Sequence, residues 1–308
     1  MRATRRRRFD LSAVSELLLA VPTVLSSLLV VTLLGKPVTP EVLWLFPVLW
    51  LVSGAVVLLP ATDAVLALTH RLRRPTRAEK QVLVPLLESV CDAAALDPRR
   101  YRLWVQDSRE INAMAVGGRV VSVSTAALGL RPEQLEAVLA HELGHHLAGH
   151  ARASLLRWWY ELPARLTVSL VFLVGWGVLV AGAALKTRLA MVASLLAVAA
   201  LAVVAVAASP WVLLVPVIAP LLALTSRRAE LNADRVAAEL GYGPLLLEVL
   251  QRWRNEGHDV IRARAGLKER MLASHPSCTS RISKLVQTTT APGPESGGRH
   301  RSLRPTGA

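Results

Sequence analysis

Residues 141–150 read HELGHHLAGH, which places four histidines within ten residues of a very apolar chain. His141, Glu142 and His145 follow the pattern H-E-x-x-H. Residues four apart on an α-helix differ by about 400° in direction, so they lie only ~40° apart on one face. His141 and His145 can therefore point two ring nitrogens at one metal ion, with Glu142 beside a metal-bound water. The stretch predicts a zinc-binding helix, and the alternative is an amphipathic helix with surface histidines.

The other two histidines of the stretch are predicted to have a different role. His146 and His150 lie ~140° and ~180° from His141 around the helix axis. Neither would then share the ligand face, so we expect structural or exposed positions for both.

A third ligand is expected from the segment RAELNAD, residues 228–234. Glu230 and Asp234 are again four apart and share one helix face. Glu230 could complete a zinc site of two histidines and one carboxylate, and Asp234 could hold the far nitrogen of a ligating histidine. The alternative is an exposed acidic pair on a solvated helix.

Composition indicates a membrane protein. Hydrophobic residues make up 53% of the chain, and the mean hydropathy is +0.41. Four apolar runs approach the ~20 residues that a membrane-spanning helix needs. They predict two transmembrane hairpins, from the runs Leu17–Leu34, Val42–Thr62, Leu166–Leu185 and Leu189–Ala208.

The net charge of +14 is interpreted as membrane topology. The basic residues cluster before the first run (Arg2, Arg5–Arg8), after the second (Arg71, Arg73, Arg74, Arg77, Lys80) and after the fourth (Arg227, Arg228). This asymmetry is typical of cytoplasmic flanks and predicts a multi-pass plasma-membrane protein with cytoplasmic termini and active site. No basic face interleaved with aromatic residues indicates a nucleic-acid partner. The expected partners are the lipid bilayer and polypeptide substrates.

Membrane topology gives a separate test of this site. His145 and Glu230 can meet only on the same side of the membrane, so an even number of membrane-spanning helices must separate them in the sequence. The run Leu189–Leu224 would be about 54 Å long as a helix, which exceeds a ~30 Å membrane core. We therefore predict one span that continues as a helix bent at prolines 210, 216 and 220. A helix over Arg227–Leu240, stopped by Gly241, should follow.

Local signals define the soluble segments. Thr76 and Glu79 predict a helix start, Tyr101–Gln106 a strand, and Pro132 the start of the H-E-x-x-H helix. Ile111–Ser124 predicts a β-hairpin with Gly117-Gly118 at its turn. The predicted segments are a transmembrane hairpin (1–70), a catalytic part with the H-E-x-x-H helix (71–160), a second transmembrane hairpin with a proline-bent extension (161–225), a catalytic part with the E-x-x-x-D helix (226–287) and a disordered basic tail (288–308).

Several motifs together resemble the HtpX-like family of membrane-integral zinc metalloendopeptidases, of the gluzincin clan and related to the CAAX prenyl endopeptidases. They are HELGH, ELNAD, Ser274-His275-Pro276 with Arg281, and NAMAVGG at residues 112–118, where Met114 replaces the usual phenylalanine. The resemblance covers about residues 73–286.

The expected fold is mainly α-helical and membrane-bound, with a small β-sheet and a zincin-type catalytic domain interrupted by a transmembrane hairpin. The resemblance implies one Zn²⁺ per chain held by His141, His145 and Glu230, with Glu142 as general base. It also places His275 near the oxyanion of the tetrahedral intermediate, with Arg281 nearby. Asn112 and Ala113 would belong to an edge strand that binds extended substrate.

The expected function is hydrolysis of peptide bonds in unfolded or membrane proteins, in the manner of quality control. Two alternatives stay open: a signalling metallopeptidase of the antibiotic-sensor type, and a catalytically silent membrane scaffold.

Overall fold

The computed structural model describes residues 11–38, 40–257, 259–260, 264 and 275–290. The basic residues Arg2 and Arg5–Arg8, Ser274, and residues 291–308 of the predicted tail lie outside this part. The helices are α1 (Leu11–Gly35), α2 (Leu45–Val57), α3 (Asp63–Thr69), α4 (Arg77–Ala93), α5 (Pro132–Leu147), α6 (His150–Ala184), α7 (Arg188–Ala208), α8 (Val215–Glu239), α9 (Gly243–Asn255) and α10 (Cys278–Thr290). The strands are β1 (Leu72–Arg73), β2 (Arg102–Gln106), β3 (Ala113–Val116) and β4 (Val120–Ser124). The fold is mainly helical with a small sheet, as predicted.

Three helices, α1, α6 and α7, are long and apolar enough to cross a membrane. They contain the predicted runs that begin at Leu17, Leu166 and Leu189. Large apolar side chains such as Phe172, Leu173 and Leu196 point outward from them, with two thirds or more of their surface exposed. Because exposing so large an apolar surface to water is unfavourable in free energy, these helices indicate a membrane protein.

The prediction of a continuous helix over Val42–Thr62 is wrong. α2 ends at Val57, and the axis bends by 78° before α3. Pro60 causes the break, because a proline donates no backbone hydrogen bond and forces the preceding Leu59 into an extended conformation (ψ 153°). α2 and α3 therefore form either one broken span or a re-entrant loop.

Of the three prolines predicted to bend the return from the membrane, only Pro210 lies at a break between helices, and the last helix begins earlier than expected. A short 3₁₀ turn over Pro210–Leu214 follows α7, and α8 then runs without interruption from Val215 to Glu239. Pro216 is tolerated because it occupies the first turn, where the backbone N–H groups have no helical partner. The helix expected to begin at Arg227 is therefore the second half of α8.

α1 and α6 run side by side in the same direction. Glu16 near the start of α1 contacts Ser154 near the start of α6, and the Ser27 hydroxyl accepts a hydrogen bond from the Ala164 N–H (3.1 Å). The Leu11 end of α1 therefore lies beside the start of α6, at the same end of this helix pair. The start of α6 directly follows the H-E-x-x-H helix.

The four strands form one sheet with the order β1-β2-β4-β3. The β3–β4 hairpin is antiparallel, as predicted, whereas β2 and β4 are parallel; β1 has only two residues and was not predicted. The two turn glycines serve different purposes. Gly117 has a positive φ (+60°), whereas a side chain at Gly118 would lie 2.9 Å from the Arg152 guanidinium. β3 is left at one edge of the sheet.

The main hydrophobic core lies between the sheet and helices α4, α5, α9 and α10. Leu83, Val123, Leu139, Leu246 and Leu285 are among its fully buried members. Because residues on both sides of the α6–α7 hairpin contribute to this core, the two catalytic parts of the sequence are one structural unit.

The predicted start of α4 is confirmed as a complete capping box. The Thr76 hydroxyl accepts a hydrogen bond from the Glu79 N–H (3.3 Å), and the Glu79 carboxylate accepts one from the Thr76 N–H (2.7 Å). Arg73 pairs with the same carboxylate (2.8 Å) and helps to lower the pKa of Glu79 to about 2.

Replacing Thr76 by alanine should weaken this cap at a cost of about 1 kcal/mol, because the Glu79 N–H loses its acceptor. We expect thermal melting of the detergent-solubilised protein about 2–4 °C below wild type. Thr288→Ala is the control, since the Thr288 hydroxyl only bonds back to carbonyls of its own helix. Equal melting temperatures for the two variants would contradict the capping interpretation.

Candidate metal centre

The H-E-x-x-H residues lie on a buried helix. α5 packs against β3 and β4 on one side and against α8 and α9 on another. His141, Glu142 and His145 are consequently only 6–8% exposed. The surface-helix alternative is therefore excluded for these three residues.

α8 brings a carboxylate to both imidazoles. Glu230 Oε2 lies 3.5 Å from His141 Nε2, and Glu230 Oε1 lies 3.3 Å from His145 Nε2. One ligand atom from each of the three residues lies within 4.8 Å of the others. The structure thus brings together the three residues that the sequence proposes as ligands.

This arrangement fits a tetrahedral divalent metal. At bond lengths of 2.0–2.1 Å, neighbouring ligand atoms of a tetrahedral zinc site are ~3.3 Å apart. The nitrogen–oxygen distances at Glu230 are close to that value. Two imidazoles and one carboxylate also form a donor set that leaves a fourth position for water.

Asp234 and Arg281 support His141 from behind. The His141 Nδ1 lies 2.9 Å from Asp234 Oδ1, and Arg281 on α10 holds Asp234 with two hydrogen bonds (2.6 and 2.8 Å). With Nδ1–H donating to the carboxylate, Nε2 is the nitrogen that is left to bind a metal ion. Asp234 thus has the contact proposed from the sequence, and Arg281 is buried beside it.

The electrostatics of the site favour a cation. Burial and the Arg281 charge act to lower the pKa of His141, but hydrogen bonds to Asp234 and Glu230 raise it to about 10. Burial acts to raise the pKa of Glu230, yet the surrounding histidines lower it well below its usual value. The pKa of Asp234 falls to about 2 because the Arg281 charge outweighs burial. Two buried carboxylates therefore remain ionised around the imidazole pair.

Glu142 is poised differently from the ligands. It is 6% exposed and has no hydrogen-bond partner in the part of the chain that the structure describes. It directly follows His141 in α5, where the H-E-x-x-H pattern is expected to place a general base.

His275 lies at the opening of the site. Its side chain is 71% exposed, and its Nδ1 is 3.1 Å from Glu230 Oε1. Hydrogen bonding to Glu230 raises the pKa of His275. His275 and Arg281 thus approach Glu230 separately, one from solvent and the other from the protein interior.

Asn112 and Ala113 lie at the start of the edge strand, which packs beside α5. The Asn112 N–H donates to Ser124 Oγ (2.9 Å), and its carbonyl accepts from the Ser124 N–H (2.8 Å). Because backbone groups alternate in direction along an antiparallel strand, Ala113 and Ala115 direct their N–H and C=O groups to the open edge.

His146 and His150 both lie outside the ligand group, as expected, but the helix path expected through His150 is wrong. His146 Nε2 bonds to the Val120 carbonyl (3.0 Å), and burial lowers its pKa to about 4. α5 ends before Gly149, which has a φ of +78°, and His150 begins α6. The chain therefore turns, and the His150 ring lies 5.7 Å from that of His145, centre to centre.

Gly144 was not singled out from the sequence, although the site requires it. A Cβ there would lie 2.9 Å from Ala233 Cα and 3.0 Å from Ala233 O, so α5 and α8 touch backbone to backbone. Ala233 lies between Glu230 and Asp234, just as Gly144 lies between His141 and His145. The sequence signal for this helix contact was one small residue inside each motif, Gly144 in the first and Ala233 in the second.

Gly144→Ala should push α5 and α8 apart by a few tenths of an ångström, at a cost of about 1–3 kcal/mol. We expect a lower melting temperature and weaker metal retention, measured by thermal melting and metal analysis. Gly129→Ala is the matched control, because a Cβ there meets nothing within 4 Å. Unchanged metal content in Gly144→Ala would show that the helix contact is not required.

The chain matches the model of peptidase family M48 over residues 77–289, about two thirds of its length. No curated protein matches it. The matched region includes both helices of the candidate metal centre and the α6–α7 hairpin between them. The chain therefore belongs to peptidase family M48, a family of zincin-type metallopeptidases.

Proposed function

We propose that this membrane metallopeptidase is a zinc-dependent, HtpX-like endopeptidase that cleaves unfolded or membrane proteins from the cytoplasmic side. The observation that carries the proposal is the convergence of His141, His145 and Glu230 in a buried, cation-favouring site beside Glu142.

His141, His145 and Glu230 would hold the ion. Zinc is preferred because two imidazoles and one carboxylate match its common catalytic donor set. When bound, zinc lowers the pKa of water and polarises the scissile carbonyl. Asp234 keeps the His141 Nδ1 protonated, so that its Nε2 remains a ligand.

Glu142 is the general base. Its carboxylate accepts a proton from the attacking water and delivers that proton to the leaving amine. A buried carboxylate without a hydrogen-bond partner in the described part of the chain suits this exchange, because no competing donor holds it. His275, at the solvent opening, would stabilise negative charge on the former carbonyl oxygen.

The edge strand suggests how substrate is held. An extended polypeptide could add to β3 through the outward backbone groups of Ala113 and Ala115. This mode needs several unpaired residues on either side of the scissile bond. It therefore favours internal cleavage of unfolded segments over trimming of folded termini, which supports a role in quality control.

The proposed cytoplasmic orientation of the active site rests on the positions of basic residues. Arg71 and Arg74 lie between α3 and α4, and Arg77 is the first residue of α4, next to the catalytic domain. Clusters of this kind typically remain on the cytoplasmic side of the plasma membrane.

Glu142→Gln should keep the metal but lose proteolysis by about 10²–10⁴-fold, because an amide cannot accept the proton. The measurement is casein digestion by the detergent-solubilised protein, with metal content determined on the same samples. A chelator should abolish wild-type activity, and added Zn²⁺ should restore it.

Glu136→Gln is the control for this variant, because it makes the same change elsewhere on α5. Full activity in Glu142→Gln would refute the assigned base. Absence of stoichiometric metal in the wild type would favour the catalytically silent scaffold.

Ala113→Pro removes one outward N–H from the edge strand and should lower kcat/KM for long unfolded substrates at least tenfold. Ala113→Ser retains that N–H and serves as the control. Both variants should retain metal, since Ala113 is not one of the proposed ligands. Equal kcat/KM values in the two variants would contradict strand addition at this edge.

A further inference from the structure

Glu16 is a buried acid in helix α1, which has no other charged residue, and the zinc site does not account for it. It is 3% exposed, although burying an unpaired carboxylate is costly. Three residues of α6 surround its carboxylate: Ser154 Oγ donates to it (2.9 Å), Arg157 Nε donates to it (2.7 Å), and His150 Nδ1 lies 3.1 Å away. Glu16 is thus held firmly against the first two turns of α6.

His150 also lies beside one of the proposed metal ligands. Its ring lies 5.7 Å from the His145 ring, centre to centre. Two imidazoles joined by an N–H···N hydrogen bond of ~3 Å have ring centres ~5.3 Å apart. His150 is therefore close to bonding distance from a proposed zinc ligand.

The two ligand histidines are supported unequally. His141 has Asp234 at its Nδ1, whereas the His145 Nδ1 is buried and has no hydrogen-bond partner among the described residues. Metal-ligating histidines almost always donate their second N–H to a neighbouring group. His145 therefore needs an acceptor, and His150 is the ring beside it.

We propose that Glu16 is a positioning residue for the metal centre: it holds His150 so that the His150 Nε2 accepts a hydrogen bond from the His145 Nδ1–H. A small rotation of the His150 ring aligns both of its nitrogens, one toward Glu16 and one toward His145. The membrane helix α1 then acts on His145 through His150, as Asp234 acts on His141. The inference rests on the proposed zinc site and adds α1 to it.

The test is Glu16→Gln in the full-length, detergent-solubilised protein, with zinc affinity measured by chelator competition. An amide holds His150 less well than a carboxylate, so zinc affinity should fall about tenfold. Glu161→Gln is the matched control: Glu161 is also buried and also pairs with Arg157 (3.3 Å), but no contact joins it to His150 in the described residues. It should lower the melting temperature of the metal-free protein while keeping zinc affinity within about twofold of wild type.

A second variant keeps the inference testable if Glu16→Gln folds poorly. His150→Asn should lower zinc affinity to a similar extent, and combining it with Glu16→Gln should add little, because both act on one contact chain. The inference is overturned if Glu16→Gln changes only the melting temperature, or if the two affinity losses simply add.

The wild type separates this inference from the proposed function. If wild-type protein binds zinc and digests casein while Glu16→Gln binds zinc equally well, only the positioning role fails. If wild-type protein binds no zinc, the proposed function itself fails.

Discussion

The candidate metal centre depends on one close approach of two helix backbones. Gly144 on α5 and Ala233 on α8 leave no room for a larger side chain between them. At that separation, Glu230 reaches both imidazoles and Asp234 reaches the back of His141. Larger residues here would push the two helices apart and move the carboxylates away from the imidazoles. The small residues within the two motifs therefore matter as much as the ligands themselves.

The contact between Gly144 and Ala233 also brings several ionisable side chains together in the protein interior. Each buried charge there needs an oppositely charged or hydrogen-bonding partner. Glu230 and Asp234 face His141, His145 and Arg281, and all five side chains are nearly inaccessible to solvent. Arg281 offsets part of the negative charge, and a divalent ion would offset more of it. The arrangement thus explains the lowered carboxylate pKa values and makes the site suitable for a cation.

The membrane helices are continuous with the catalytic machinery. Only two residues separate the end of the H-E-x-x-H helix from the start of α6, which runs into the apolar span, and α8 leads back from the membrane turn to Glu230. α1 packs against both α6 and α8. The hairpin that interrupts the family domain in sequence is therefore a structural support in three dimensions.

Local rules were enough to predict much of this protein from its sequence. Helix periodicity placed His141 and His145 on one face, a capping box began α4 at Thr76, and a glycine turn defined the β3–β4 hairpin, because each depends on residues close together in the chain. Tertiary structure alone decided the bend at Pro60, the partner of Glu16, and the position of His150 beyond Gly149. Those features depend on which helices meet in space, and periodicity within a single helix carries no information about its neighbours.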